Sequence, residues 1–167
     1  AGFGALLSEK RSGAAATIGL ELDASEAMML DMVPATQLEA IIAQATDGIA
    51  ATEDEVMRLL RRMKGEGALL VALADIGGVW SVTRVTSALT ELADAALGAA
   101  VRHLLADAAQ RGRYHPADPA QPEQGSGYIV IAMGKMGSGE LNYSSDIDLI
   151  VFHDASAAAL ASSVEPS

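Results

Sequence analysis

The apolar pattern of the chain changes on either side of residues 113–127, a segment rich in proline and glycine. Before this segment, apolar residues recur three and four positions apart, which predicts amphipathic helices. After it, residues 128–133 form a continuous apolar run of the length expected of a strand that is buried on both faces. Residues 147–152, which are apolar except for Asp148, form a second predicted strand. The sequence therefore predicts an α+β chain that is predominantly helical at first and ends in two strands.

The same changes divide the chain into four parts. Residues 1–50 form a poorly defined, partly helical segment, and residues 51–112 form a helical region. Residues 113–127 are a linker, because proline and glycine interrupt regular structure. Residues 128–167 are the start of a further domain, which contains the two predicted strands.

The first and last stretches carry weak signals. A short helix is possible over residues 25–32, and Pro34 is expected to end it because proline breaks a helix interior. Residues 35–47 form a separate helix in this interpretation, with apolar side chains on one face. The tail, residues 155–167, is rich in alanine and serine and is expected to be a loop or a frayed end.

Two longer helices have clear start signals. Thr52 and Glu55 have the spacing of a capping box, in which each side chain binds the other residue's backbone N–H. The glycine pair at positions 77–78 ends this helix. Ser81 can then cap a second long helix that runs to about Gln110.

The first of these helices carries a cluster of basic residues near its start. The ordinary interpretation is a solvated helix face, and the alternative is a contact with a partner or a phosphate group. The cluster consists of Arg58, Arg61, Arg62 and Lys64.

Composition excludes several classes of protein. The formal net charge of −11 argues against a nucleic-acid binder and against docking on anionic lipid. The chain has no cysteine, so disulfides, thiolate zinc sites and cysteine nucleophiles are excluded. No apolar run is long enough for a membrane span, and no secretory signal is visible. We therefore expect a cytoplasmic protein.

The strongest chemical signal is a pair of acids, Asp146 and Asp148, at the start of the second predicted strand. Residues two apart on a strand project from the same face. Two carboxylates on one face repel each other and favour a bound cation, and Mg²⁺ prefers oxygen ligands together with substrate phosphates. The pair therefore indicates metal-dependent phosphoryl or nucleotidyl transfer.

A glycine-rich loop, residues 134–145, precedes the acids. Glycines let backbone N–H groups approach phosphate oxygens, while a lysine can add charge and a serine a hydroxyl group. The loop is not a P-loop, because that motif would need glycine where Ile129 stands. The candidate nucleotide- or phosphate-binding residues are Gly134, Lys135, Gly137, Ser144 and Ser145.

Residues 132–150 resemble the signature of the glutamine synthetase adenylyltransferase family, part of the DNA polymerase β-like nucleotidyltransferase superfamily. Residues 69–80 and 86–94 resemble the helices that precede this signature. The resemblance covers residues 58–154, whereas residues 1–50 match only loosely. It implies a helical region followed by the first two strands of a polymerase β-like domain, which is incomplete here.

The resemblance also implies an activity. Enzymes of this family have one domain that attaches AMP from ATP to a tyrosine of glutamine synthetase, and another that removes it by phosphorolysis and releases ADP. The form of residues 140–146 resembles the AMP-removing domain more closely. By the same resemblance Asp146 and Asp148 would be catalytic and would bind Mg²⁺ or Mn²⁺. Glutamine synthetase would be the protein substrate and the PII signal protein a regulator.

Two alternatives stay open. The chain could belong to the AMP-attaching domain, or its helices could form a catalytically inert interaction module. Superfamily members use a third carboxylate on a later strand, in a segment that this sequence lacks. We therefore expect weak or absent catalysis from the isolated chain.

Overall fold

The computed structural model describes residues 24–46, residues 52–154 and Ala157. The expectations for residues 1–23 and, apart from Ala157, for the tail after Asp154 lie outside this part of the chain. In order, the described elements are α1 (Ala24–Thr46), α2 (Glu53–Ile76), α3 (Val82–Gln110), β1 (Tyr128–Ala132), the single turn α4 (Gly134–Gly137) and β2 (Leu149–His153). The predicted α+β class is confirmed.

Helix α1 corrects the prediction for its region. It is one continuous helix that passes through Pro34, rather than a short helix that ends there. Proline lacks one backbone N–H donor, whereas the helical turns on either side of it keep their backbone hydrogen bonds. The Thr36 hydroxyl also donates to the Met32 carbonyl (3.1 Å) across the proline. Leu38, in the following turn, is fully buried in the core, so tertiary packing favours continuation of the helix.

The predicted starts of α2 and α3 are confirmed. Thr52 accepts from the Glu55 backbone N–H (3.4 Å), and the Glu55 carboxylate accepts from the Thr52 N–H (3.0 Å), which completes the capping box. Ser81 caps α3 by accepting from the Arg84 N–H (3.3 Å). Helix α2 ends at Ile76, directly before the glycine pair at 77–78.

The core lies where the three long helices meet. Its buried apolar side chains come from α1, from α2 and from the first half of α3 (Leu38, Met63, Val71, Ala74, Val85, Ala88, Leu89 and Leu92). The predicted amphipathic character of α3 holds for this half only, since the apolar Leu104 near the helix end is 62% exposed. Gly67 of α2 lies against Leu92 of α3, where a β-carbon would have no room.

Residues 111–127 contain no regular helix or strand, yet they are held to α3. Arg102 of α3 donates to the Glu123 carboxylate (2.8 Å), and this hydrogen bond holds the pKa of Glu123 below its ordinary value. The buried Tyr114 hydroxyl donates to the Pro122 carbonyl (2.5 Å). These contacts set the path by which the chain leaves α3 and enters β1.

The two strands form an antiparallel pair in which Ala132 lies opposite Leu149 and Tyr128 lies opposite His153. The prediction that the first strand is buried on both faces is wrong for the described chain, because three of the five residues of β1 are exposed and none is fully buried. All five residues of β2 are exposed as well. Strand β2 also begins at Leu149, two residues later than predicted. In the described part of the chain these strands pair only with each other, so the outer edge of each strand is unpaired there.

No helix in the described ranges is long and apolar enough to cross a membrane.

We predict opposite effects for two glycines of α2. Gly65→Ala should raise the free energy of unfolding by about 0.5–1 kcal/mol, because alanine favours a helix interior and nothing lies within 4 Å of the new methyl group. Gly67→Ala should lose this gain, since its β-carbon would lie 2.5 Å from a Leu92 methyl carbon. Urea denaturation followed by circular dichroism measures both, and equal gains at the two sites would contradict the α2–α3 packing.

Candidate functional site

The site begins where β1 ends. The Met133 N–H donates to the Asp148 carbonyl (2.9 Å), which extends the strand pairing by one residue beyond Ala132 and Leu149. Gly134 follows with a φ of 56°, a backbone conformation that favours glycine. A β-carbon at Gly134 would lie 3.5 Å from an Asp148 carboxylate oxygen. The structure thus brings together Gly134 and Asp148, two residues predicted from the sequence.

The single turn α4 then reverses the chain. Gly137 packs directly against the Ala132 carbonyl, so a side chain at this position would collide with backbone. Met136 points into the helical core and is buried, whereas Lys135 stays exposed. Among the described residues, Lys135 forms no ion pair. Its ammonium group is therefore available to an anion at the surface of the turn.

The loop before the acids is organised by Asn142, a residue that the sequence analysis did not single out. The Asn142 side-chain oxygen accepts from the Ser144 N–H (3.1 Å) and from the hydroxyls of Ser144 (3.2 Å) and Ser145 (2.8 Å). The Ser145 hydroxyl in turn accepts from the Asn142 N–H (3.2 Å). Asparagine two residues before a serine is the pattern of an Asx turn, and this signal could have identified it.

Two contacts fix this loop to the helices. The buried Leu141 donates its N–H to the Thr90 hydroxyl of α3 (3.3 Å). The Tyr143 hydroxyl donates to the Asp75 carboxylate of α2 (3.3 Å). Burial raises the pKa of Tyr143, and the charge of Asp75 and this hydrogen bond raise it further. The helices therefore hold the loop that leads to the acids.

Asp146 and Asp148 lie directly before β2, and both are exposed. In the described part of the chain neither carboxylate has a hydrogen bond or ion pair to another side chain. No group of three or more acidic, histidine or cysteine residues within the described ranges could hold a metal ion. Two unpaired carboxylates fit a magnesium ion that takes its remaining oxygens from water and phosphate.

A glycine-rich turn is thus followed by the Ser-Asp-x-Asp segment at residues 145–148, which lies directly before β2. The model of the glutamate-ammonia ligase adenylyltransferase family matches residues 21–165. The chain belongs to this family.

Relatives with the name bifunctional glutamine synthetase adenylyltransferase/adenylyl-removing enzyme support this assignment. The protein from Bradyrhizobium diazoefficiens is 59% identical over 140 residues, which cover 83% of this chain and 14% of the relative. The one from Xanthobacter autotrophicus is 54% identical over 132 residues, which cover 78% of this chain and 13% of the relative. This chain thus spans about one seventh of the length of such relatives. No solved structure matches it.

We predict that the Thr90 hydroxyl anchors the loop. Thr90→Val keeps the shape of the side chain but leaves the buried Leu141 N–H without its acceptor, which should cost about 1–3 kcal/mol of unfolding free energy. Thr90→Ser keeps the hydroxyl and should cost less. Urea denaturation of both variants tests this, and a larger loss in Thr90→Ser than in Thr90→Val would show that the methyl group, rather than the hydrogen bond, matters.

We predict that the contact between Tyr143 and Asp75 makes the stability of the chain depend on alkaline pH. Because the pKa of Tyr143 is raised in the folded chain, its contribution to stability is complete below the ordinary tyrosine pKa of about 10 and is lost as the pH rises through the higher folded value. Asp75→Asn should shift the Tyr143 titration back towards its ordinary pKa. Tyrosinate absorbance measures this shift, with Tyr143→Phe to assign the signal and Asp54→Asn as the control. An unchanged titration in Asp75→Asn would exclude the contact.

Proposed function

We propose that this chain is part of the domain that removes AMP from the adenylylated tyrosine of glutamine synthetase by phosphorolysis, with release of ADP. The observation that carries the proposal is the form of the motif at residues 140–146, which resembles that of AMP-removing domains. The relatives' name, bifunctional glutamine synthetase adenylyltransferase/adenylyl-removing enzyme, supports a protein with both activities.

The reaction has a simple balance. A phosphate oxygen bonds to the phosphorus of the adenylyl group, and the bond from that phosphorus to the tyrosine oxygen breaks. The tyrosine oxygen takes up a proton, and the AMP group leaves as ADP. Negative charge builds up on the phosphoryl oxygens in the transition state, and fixed positive charges and hydrogen-bond donors stabilise it.

In this proposal Asp146 and Asp148 hold Mg²⁺ or Mn²⁺. Both carboxylates are exposed and unpaired in the described structure, which fits this role. The bound ion would supply charge stabilisation to the transferred phosphoryl group. Gly134 keeps the space beside Asp148 free of a side chain, because a β-carbon there would lie 3.5 Å from its carboxylate oxygen.

The loop residues would position the nucleotide and the phosphate. Lys135 is exposed and has no ion pair among the described residues, so it can approach a phosphate oxygen. Gly137 lets α4 pack against the Ala132 carbonyl, which places this turn beside β1. Both serine hydroxyls donate to Asn142, but Ser144 is exposed, whereas Ser145 is half-buried and also accepts from the Asn142 N–H. In this role Ser144 contacts phosphate and Ser145 keeps the loop in shape.

The wider setting belongs to the same proposal. Glutamine synthetase is the protein substrate, the PII signal protein is the regulator, and the reaction takes place in the cytoplasm. Neither nucleic acid nor a membrane takes part, in keeping with the net charge of −11.

We predict that Asp146→Asn abolishes one activity of a bifunctional enzyme. The experiment uses the full-length Bradyrhizobium diazoefficiens relative with residues 24–154 of this chain in place of its matching segment. Phosphate-dependent ADP release from adenylylated glutamine synthetase should fall at least ~100-fold, as expected when a main electrostatic stabiliser is removed. ATP-dependent labelling of glutamine synthetase should persist. Asp54→Asn, the same change on an exposed first turn of α2, is the control.

The opposite pattern would assign the chain to the AMP-attaching domain. Loss of neither activity would favour the inert interaction module.

The isolated chain gives a second test, since a metal that binds only the folded state must raise the melting temperature. Millimolar Mg²⁺ or Mn²⁺ should raise it for the native sequence and not for Asp146→Asn.

A further inference from the structure

A cavity of about 330 Å³ lies between α2, α3 and the loop that leads to the acids. Its lining is mainly apolar and includes Leu60, Leu89, Leu92, Leu141 and Ile147. This volume is at the lower end of the range of small-molecule sites, and an apolar lining with a few polar groups is typical of such sites.

Two basic side chains, those of Arg61 and Lys64, lie beside this cavity. Arg61 and Lys64 both line it and both are exposed to solvent. They lie three residues apart on α2, so they are neighbours on one helix face. Within the described ranges neither side chain has an ion pair. Acidic residues outnumber basic ones in this chain, which has a net charge of −11, yet these two cations beside the cavity have no acidic partner among the described residues.

The other half of the basic cluster behaves differently. Arg58 lies 4.0 Å from the Glu55 carboxylate, and Arg62 lies 2.7 Å from that of Glu66. Neither arginine lines the cavity. The cluster is therefore two pairs of cations, one matched by acids on α2 and one left facing the cavity.

The cavity is separate from the acids of the proposed catalytic site. Ser145 and Ile147 of the loop contribute to its lining, as do Asn142 and Tyr143, whereas Asp146 and Asp148 do not. A molecule in the cavity would touch the segment that carries both carboxylates without occupying their position.

We propose that this cavity binds a small amphipathic anion. The apolar body of the ligand lies among the leucines of α2 and α3, and its carboxylate, sulfonate or phosphate group lies at Arg61 and Lys64. Charge-assisted hydrogen bonds to the two cations provide selectivity for an anion, and burial of the apolar body provides the rest of the affinity. This proposal does not depend on the proposed function.

The test uses the whole chain and two fluorescent probes of similar shape. The anionic probe is 8-anilinonaphthalene-1-sulfonate, and the neutral one is N-phenyl-1-naphthylamine. The anionic probe should bind at one saturable site, and the double variant Arg61→Gln/Lys64→Gln should weaken its affinity at least tenfold. The variant Arg58→Gln/Arg62→Gln has the same change in net charge and should alter affinity less than twofold. Binding of the neutral probe should not respond to either variant.

A second pair of variants separates the cavity from the exposed sheet. Ala93→Leu, which adds volume to the cavity lining, should weaken binding of the anionic probe. Ile129→Thr, on the exposed face of β1, should not. Equal weakening by the two charge variants, or loss of binding only in Ile129→Thr, would overturn the proposal. Circular dichroism confirms that each variant is folded.

Discussion

The candidate site depends on the attachment of the loop that leads to the acids, residues 138–145, to the helical core. Met136 and Leu141 are buried in the same apolar cluster as Val71 and Leu92, so loop and helices share one core. The Thr90 hydroxyl satisfies the buried Leu141 N–H. Without that acceptor, burial of the Leu141 backbone would cost free energy, and the segment leading to Asp146 would lose its anchor.

The acids themselves are placed by backbone pairing rather than by side-chain contacts. The Met133 N–H donates to the Asp148 carbonyl, and Gly134 then turns the chain in a backbone conformation that favours glycine. Strand β2 is exposed at every residue and β1 at three of its five residues, although both strands have the apolar composition of a buried sheet. In the described chain the pair therefore has the surroundings of a sheet edge. The geometry of the acids therefore rests on two strands and on the loop anchored by α3.

The basic cluster on α2 consists of two pairs of residues with different surroundings. The sequence allowed either a solvated face or a contact with a partner or a phosphate group. Arg58 and Arg62 have acidic neighbours one turn away on the same helix. Arg61 and Lys64 face the cavity formed with α3 and the loop, and that neighbour is visible only in the tertiary structure.

The sequence by itself determined the features that depend on neighbouring residues. The capping box of Thr52, the stop at residues 77–78 and the glycine-rich turn before Asp146 arise from short-range hydrogen bonds and backbone preference. Only the tertiary structure decided the continuation of α1 through Pro34, the exposure of β2 and the bond from Leu141 to Thr90. Each depends on which distant residues a segment meets, or, for β2, fails to meet among the described residues. Leu141 and Thr90, for example, are 51 positions apart. Local pattern cannot specify such partners, because packing decides which elements meet.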